Sequence, residues 1–382
     1  MPGAYIRGMS LNCALGEDVG SCVSAMKQRL VQTVTLTLND FNEPLRMPYY
    51  RMNDSSELFD PRRYECLIPS VARAAVIQAG LSRDEIRKLP LFIGSSSFSI
   101  GLSELSYAKA LAQHPQNAIP MPLCGYQDIA VILQQGLGCK GEIYTYNTAC
   151  TASANALLGA LNMIDIGVYR HALVIGVEMI NRTSLSGFLG LQILAKTIQP
   201  FDLWRQGIVL GEGIGAVVLS ADSNSVTRMR VIGGANNCDT WSITTANTDG
   251  HSTAIAMRLA LKRAGIQPHH TCGIKAHGTA TRAGDMAEAR GLHHVFENLP
   301  PITVLKPYLG HTLGACCLNE LVLYAGTLLS GFIPATPGFE TPDPVLDLHP
   351  LTVEISAPNG HYLLNHFGFA GNNTVLVVEK TA

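Results

Sequence analysis

The run Ala172-Leu173-Val174-Ile175-Gly176-Val177 carries no polar side chain at any position. A strand with one wet face alternates in polarity, so an unbroken apolar run reads as a strand covered on both faces, the habit of parallel sheets flanked by helices. The residues before it agree. Ile143-Tyr144-Thr145-Tyr146 is β-prone, and Ala154, Leu157, Leu158, Leu161 and Ile164 then recur at helical spacing up to Asp165-Ile166-Gly167, a glycine stop signal. Strand, helix and strand make a β-α-β unit, right-handed if its strands are parallel in one sheet. Between the first strand and the helix stands Asn147-Thr148-Ala149-Cys150-Thr151-Ala152-Ser153. A thiol at a helix start faces unpaired N–H groups and the positive end of the helix dipole, which favour the thiolate and lower its pKa from about 8.5. On this segment alone, a buried structural cysteine is the alternative.

The same strand-then-helix order runs along the chain. Residues 4–11 read as strand, 18–30 as helix, 40–66 as loop, 70–80 as helix and 91–97 as a buried strand. Two helical patterns joined by a proline-rich connection at 115–122 fill 103–136. After a short polar stretch at 221–225 the alternation restarts, with strands at 226–233, 274–276 and 302–306 and helices at 251–265, 284–296 and 314–330. A proline-rich loop at 333–350 and two closing strands, 362–367 and 374–379, complete it. The reading is an α/β protein of two related halves, 1–222 and 223–382, and 382 residues suffice to bury a core in each.

Composition excludes several functions. A formal net charge of -2 argues against a binder that neutralises many nucleic-acid phosphates. Ten cysteines without a C-x-x-C pair favour neither a disulfide scaffold nor a cysteine zinc site, and point to reduced thiols in a cytoplasm. No stretch of about 18 apolar residues is present, and 1–15 lacks a secretory pattern, so no membrane association is expected. Gly211-Glu212-Gly213-Ile214-Gly215 precedes a strand-like run rather than a helix start, which removes the phosphate-cradling reason for a dinucleotide fingerprint. The pairs His269-His270 and His293-His294 are read as exposed residues whose side chains diverge, with no metal site. Arg62, Arg63 and Arg282 are candidates for meeting an acidic partner.

Three more clusters close predicted strands. Lys275-Ala276-His277-Gly278-Thr279-Ala280-Thr281 and Lys306-Pro307-Tyr308-Leu309-Gly310-His311-Thr312-Leu313-Gly314 each set a histidine beside glycine and threonine, and Asn365-His366-Phe367-Gly368-Phe369-Ala370-Gly371-Asn372 is a glycine-rich turn. A cysteine and two histidines at equivalent turns imply one convergent pocket.

These motifs, with Pro200-Phe201-Asp202-Leu203-Trp204-Arg205-Gln206-Gly207 and Gly211-Glu212-Gly213, come in the order found in β-ketoacyl-acyl carrier protein synthases, and the resemblance spans nearly the whole chain. It implies the thiolase-like fold, two related βαβαβ halves in a five-layered αβαβα body, as a homodimer or heterodimer built across the halves that carry the nucleophile. It implies no bound cofactor, because the phosphopantetheine arrives on acyl carrier protein. By the same resemblance Cys150 takes the acyl group, the N–H groups of Cys150 and Phe369 form the oxyanion hole, and Phe369 is also a gate. His277 and His311 hold the malonyl thioester carbonyl, Lys306 sets the electrostatics around His311, and Glu320 is its charge partner. Thr279, Thr312 and Gly368 support the site.

The sequence departs from the family's pattern at Gln206, Ala280, Cys316, Cys317, His366 and Ala370, none of which removes a reacting group. Two other readings stay open: a chain-length or chain-initiation partner subunit that is mainly structural, and a degradative thiolase. The first usually lacks the nucleophile. The second normally has another cysteine near the C-terminus, and none stands at 368–373.

Overall fold

A computed structural model describes residues 3–39, 44–119, 125–223 and 227–381. One strand pattern is built twice. The first half contributes β1 (Ala4–Asn12), β2 (Leu91–Gly94), β3 (Ile143–Tyr146), β4 (His171–Glu178) and β5 (Gly213–Ser220). The second contributes β6 (Met229–Cys238), β7 (Thr271–Lys275), β8 (Ile302–Thr303), β9 (Gly360–Phe367) and β10 (Asn372–Lys380). In the first half β2 lies parallel to β3 and β4, while β5 is antiparallel to β4 and β1. In the second, β7 lies parallel to β8 and β9, while β10 is antiparallel to β9 and β6. Each strand therefore has a counterpart five places on. Among the described residues the two sets of strands join into one ten-stranded sheet where Ala4 and Tyr5 of β1 pair with Val231 and Arg230 of β6.

Five helices position the site: α1 (Arg62–Ala79), α2 (Ala152–Asp165), α3 (His251–Ala264), α4 (Arg282–Val295) and α5 (Cys316–Leu329). Helices α2 and α5 follow the equivalent strands β3 and β8. Both are apolar almost all round, and 13 of the 14 residues of α5 are buried. A helix without a polar face belongs inside. They form the middle layer, α1 covers the outer face of the first sheet, and α3 and α4 cover the second. The result is the expected αβαβα stack.

The layers explain the apolar run that opened the reading. On β4, Leu173, Ile175 and Val177 enter the outer core with α1, while Ala172 and Val174 enter the central core with α2. On β9, Leu363 faces the outer core and Tyr362 and Leu364 the central one. Truncating a central leucine such as Leu321 to alanine costs about 2–5 kcal/mol in a core of this kind.

Several boundaries differ from expectation. Val34–Leu38 pairs with Leu45–Tyr49 in an antiparallel ladder where loop was read from 40 onward. Helix α1 starts at Arg62 rather than 70 and carries Pro69 inside it; the missing N–H costs one helical bond, and the ring packs where Gly136 of a neighbouring helix leaves no side chain in its way. Strand β8 stops at Thr303, because Lys306–Leu309 turns into a helical segment with Pro307 near its start. Of the features read from sequence, residues 40–43 of the loop, 120–122 of the proline-rich connection, and 224–226 lie outside the described residues.

Candidate active site

Cys150, His277, His311 and Phe369 each follow the carboxyl end of a strand, where parallel sheets present their ligand sites, and Glu320 lies within α5. After β3 the chain turns through Thr148 to Cys150. The Thr151 hydroxyl donates to the Thr148 carbonyl at 2.7 Å, and the Asn155 amide donates to the Thr148 hydroxyl at 2.8 Å. Ala149 is held at φ +50°, left-handed backbone that strains any side-chain-bearing residue. Ala280, Leu313 and Ala370 are strained alike, one beside each of the other site segments.

After β7 comes His277. Glu288 of α4 accepts the backbone N–H groups of His277 and Gly278, both at 2.8 Å, and Asn365 donates to it at 2.9 Å. Gly278 sits at φ +48°, and a Cβ there would stand 2.7 Å from the methyl groups of Val304. Asp285, one turn earlier on α4, accepts from the N–H groups of Phe201 at 2.6 Å and Ala280 at 3.0 Å. Burial raises the Glu288 carboxyl against those donors and pushes Asp285 up to about 7.

After β8 come Lys306 and His311. The His311 N–H donates to the Val209 carbonyl at 2.9 Å, and the Gly211 N–H donates to the His311 carbonyl at 3.1 Å. Gly211 is there because a Cβ would collide with Tyr50 and the Leu309 carbonyl, a packing reason for that glycine. Glu178, at the end of β4, accepts from Ser96, Ser97 and the Gly314 N–H, joining the His311 segment to the loop after β2.

Cys150, His277, His311, Thr279, Gly368 and Phe369 line one cavity of about 360 Å³. Phe369 stacks on Phe188 with 5.7 Å between ring centroids. The Gly368 N–H donates to the Asn372 carbonyl at 2.7 Å, shaping the loop. Thr312 is buried away from the cavity, where its hydroxyl accepts from Asn319 at 3.0 Å. Glu320 and Lys306 lie behind the cavity wall, fully buried.

Here the structure refines one expectation and corrects another. The Lys306 charge acts on His311, while its ammonium contacts are with His277 Nδ1 at 3.2 Å and Glu320 Oε1 at 2.6 Å. An ammonium only donates. Nδ1 of His277 is therefore the acceptor, and the ring proton sits on Nε2. Cys150 was expected to be acidified, but burial pushes its thiol up to about 11, against the Lys306 charge and the N–H groups of Phe369 and Cys150 that oppose it. Burial first, then Lys306, holds His277 and His311 well below the usual histidine range, so both are neutral imidazoles. Burial penalises the Lys306 ammonium most, but Glu320, with Cys316 and Cys150 adding to it, leaves its pKa raised.

Sequence reasoning assigned no role to Lys275. It is fully buried, with its ammonium 2.5 Å from Glu320 Oε2, 2.7 Å from the Asn365 carbonyl and 3.4 Å from His366 Nδ1. The available signal was an ionisable side chain in the short buried strand Ile274-Lys275-Ala276. His366, one of the departures from the family's pattern, is buried beside it and does not line the cavity. The Cys316 thiol donates to the Cys150 carbonyl at 3.0 Å.

Other expectations divide. Arg63 is no surface residue: its guanidinium is buried on Glu212 at 2.5 Å and Asp54 at 2.8 Å. Arg62 is exposed and paired with Asp60, and exposed Arg282 lines the cavity mouth. The exposed rings of His269 and His270 do not diverge but touch, with centroids 4.1 Å apart. Among the described residues His277, Cys316 and His366 bring donor atoms within 4.8 Å of one another, beside two ammonium groups that oppose a cation. No helix among the described residues is long and apolar enough to cross a membrane.

Residues 54–225 match the family model for the β-ketoacyl synthase N-terminal domain, and 229–340 match the one for its C-terminal domain. The chain belongs to the β-ketoacyl synthase family. These are condensing enzymes of the acyltransferase type. The 3-oxoacyl-[acyl-carrier-protein] synthase I of Hordeum vulgare chloroplasts is 27% identical to this synthase, over 86% of this chain and 76% of its own. A type II polyketide ketosynthase solved with its acyl-carrier protein and a hexaketide superposes with a TM-score of 0.88 at 21% identity, covering 100% of both chains. A ketosynthase from Xenorhabdus doucetiae, solved with its chain length factor, gives 0.83 at 23% identity, covering 100% of this synthase and 98% of that chain. At these identities the two structures establish the thiolase-like fold.

Proposed function

We propose that this synthase carries out decarboxylative condensation itself, with Cys150, His277 and His311 as catalytic residues and Lys306 behind them, in fatty acid or type II polyketide synthesis. The supporting observation is that the thiol and two neutral imidazoles line one cavity while Lys306 orients the first imidazole. The Cys150 sulfur attacks the acyl thioester carried by phosphopantetheine, and the N–H groups of Cys150 and Phe369 receive the oxyanion. The C–S bond to the carrier breaks and leaves acyl-Cys150. When malonyl thioester loses carbon dioxide, Nε2–H of His277, with His311 beside it, holds the enolate oxygen. The enolate carbon then attacks the acyl-Cys150 carbonyl, the same N–H pair receives the second oxyanion, and the Cys150 thiolate leaves and is reprotonated.

Acyl carrier protein is the partner this chemistry requires, and a cytoplasmic location goes with it. The other partner is a second synthase subunit, identical or not. Strand β3 is a sheet edge with alternating exposure, and Tyr126 and Val131 are exposed on the helix that precedes it in the chain, Tyr126–Leu137, which supports pairing across the nucleophile-bearing half. The mainly structural partner role is disfavoured because the nucleophile is present and faces the cavity. The thiolase reading is disfavoured because Cys316 gives its thiol to a backbone carbonyl and does not line the cavity.

Intact-protein mass spectrometry with an activated acyl thioester tests the proposal. Wild type gains the acyl mass and Cys150→Ala does not, whereas His277→Ala and His311→Ala acylate but release no carbon dioxide from malonyl carrier protein. A wild-type chain that never acylates, alone or with a co-expressed sibling synthase, refutes it.

A further inference from the structure

We propose that Lys275 is a positioning residue for His277, acting through Glu320 and Lys306; the inference rests on the role given to His277 above. Glu320, Lys275 and Lys306 are all fully buried. The carboxylate is forked, with Oε1 on Lys306 at 2.6 Å and Oε2 on Lys275 at 2.5 Å. One carboxylate cannot balance two ammonium groups, so each lysine turns its remaining donors to a neutral acceptor: Lys275 to the Asn365 carbonyl at 2.7 Å, Lys306 to His277 Nδ1 at 3.2 Å. The outcome is a relay from the β9 backbone through Lys275, Glu320 and Lys306 to the imidazole.

Remove Lys275 and both carboxylate oxygens become available to Lys306. The ammonium is then drawn toward Glu320 and away from Nδ1. An imidazole that loses its donor at Nδ1 is free to carry its proton there, and Nε2 changes from donor to acceptor. That tautomer cannot hold an enolate oxygen.

Lys275 acts on charge as well. The titratable groups around His277 are Lys275 on β7, Lys306 and His311 after β8, His366 on β9, Glu288 on α4, Cys316 and Glu320 on α5, and Cys150 before α2. Of these, Lys275 and Lys306 both oppose protonation of His277, His311 and His366. Without Lys275 the histidines charge more readily as pH falls.

The test compares full-length wild type with Lys275→Met and Lys275→Gln, the latter keeping an N–H donor for the Asn365 carbonyl. Carbon dioxide release from malonyl carrier protein is followed from pH 5 to 9, and Cys150 acylation by intact mass. The expected result is a loss of about 100-fold in release at neutral pH, the penalty of a misplaced catalytic group. The acid limb moves to higher pH while Cys150 still gains the acyl mass. Folded variants with wild-type release and an unmoved acid limb overturn the inference. So does an equal loss of acylation and release, or failure of both variants to fold, since each marks a purely structural lysine. A wild type that releases no carbon dioxide refutes the underlying role of His277 instead, and is recognised before any variant is made.

Discussion

The thiol of Cys150 offers the sharpest quantitative prediction, because burial and local charge pull its pKa in opposite directions. Burial wins and the group stands at about 11. Each pH unit below a pKa costs a factor of ten in the ionised fraction, so at pH 8 roughly one molecule in 1,000 carries the thiolate. A free thiol near about 8.5 would be roughly a quarter ionised at that pH. Alkylation by iodoacetamide reads this directly. Pulses from pH 7 to 10.5 with peptide mapping separate Cys150 from the exposed Cys66 and Cys238. The expected Cys150 rate climbs about tenfold per pH unit through pH 10. Lys306→Met removes the largest opposing charge and displaces the climb to still higher pH. A plateau below about pH 9 would refute the dominance of burial. At neutral pH Cys150 is then a thiol, and in the proposed attack on the thioester its proton departs during the step rather than before it.

Four further substitutions test the buried charges. Glu320→Gln leaves two interior ammonium groups without a carboxylate and destabilises by more than the about 3–5 kcal/mol of one broken buried pair. Lys306→Met costs less, since Glu320 keeps Lys275; equal urea midpoints for the two variants would refute the shared fork. Arg63→Met strands Glu212, whose side chain is fully buried, and should cost about 3–5 kcal/mol in urea unfolding. Asp285 has a folded pKa of about 7, above its unfolded value, so the folded chain binds its proton more tightly. Its contribution is therefore full below the unfolded value and lost as pH rises toward 7. Asp285→Asn should gain on wild type in melting temperature between about pH 4 and 7 and hold a constant difference above that. A difference independent of pH across this window would refute the assignment.

What could be read from sequence was local. The apolar run of β4 and the mostly apolar α5 announce surfaces covered on every side, and histidines beside glycine and threonine at strand ends announce turns that face a ligand. The missed features are contacts across the chain. Lys275 meets Glu320 and Asn365, 45 and 90 residues away, and Arg63 meets Glu212 at a separation of 149. Two adjacent arginines look alike in sequence, yet one is in water and the other in the interior. The helix read over 70–80 in fact begins at Arg62 and runs through Pro69, whose ring packs where Gly136 has no side chain. The Cys150 thiol was misjudged for a related reason: a helix start is visible in sequence, but its desolvation is set by every segment that closes over it.

The duplicated topology explains why such a site exists at all. Helices α2 and α5 follow equivalent strands and meet at their N-terminal ends: the Cys316 thiol donates to the Cys150 carbonyl at 3.0 Å, and the Leu318 N–H to the Ser153 hydroxyl at 3.4 Å. Two 14-residue helices thus direct their positive ends at one point. Lys275 and Lys306, balanced by a single carboxylate, add net positive charge behind it. A field of this kind suits a condensation that places negative charge first on a tetrahedral oxygen, next on an enolate and then on a second tetrahedral oxygen. The same field does not ionise the resting thiol, because desolvating a sulfur anion outweighs it. The difference lies in contact. In the proposed oxyanion hole a carbonyl oxygen between the Cys150 and Phe369 N–H groups would gain direct hydrogen bonds as its charge develops, so the preorganised positive charge would act on the intermediates more strongly than on the proposed nucleophile that precedes them.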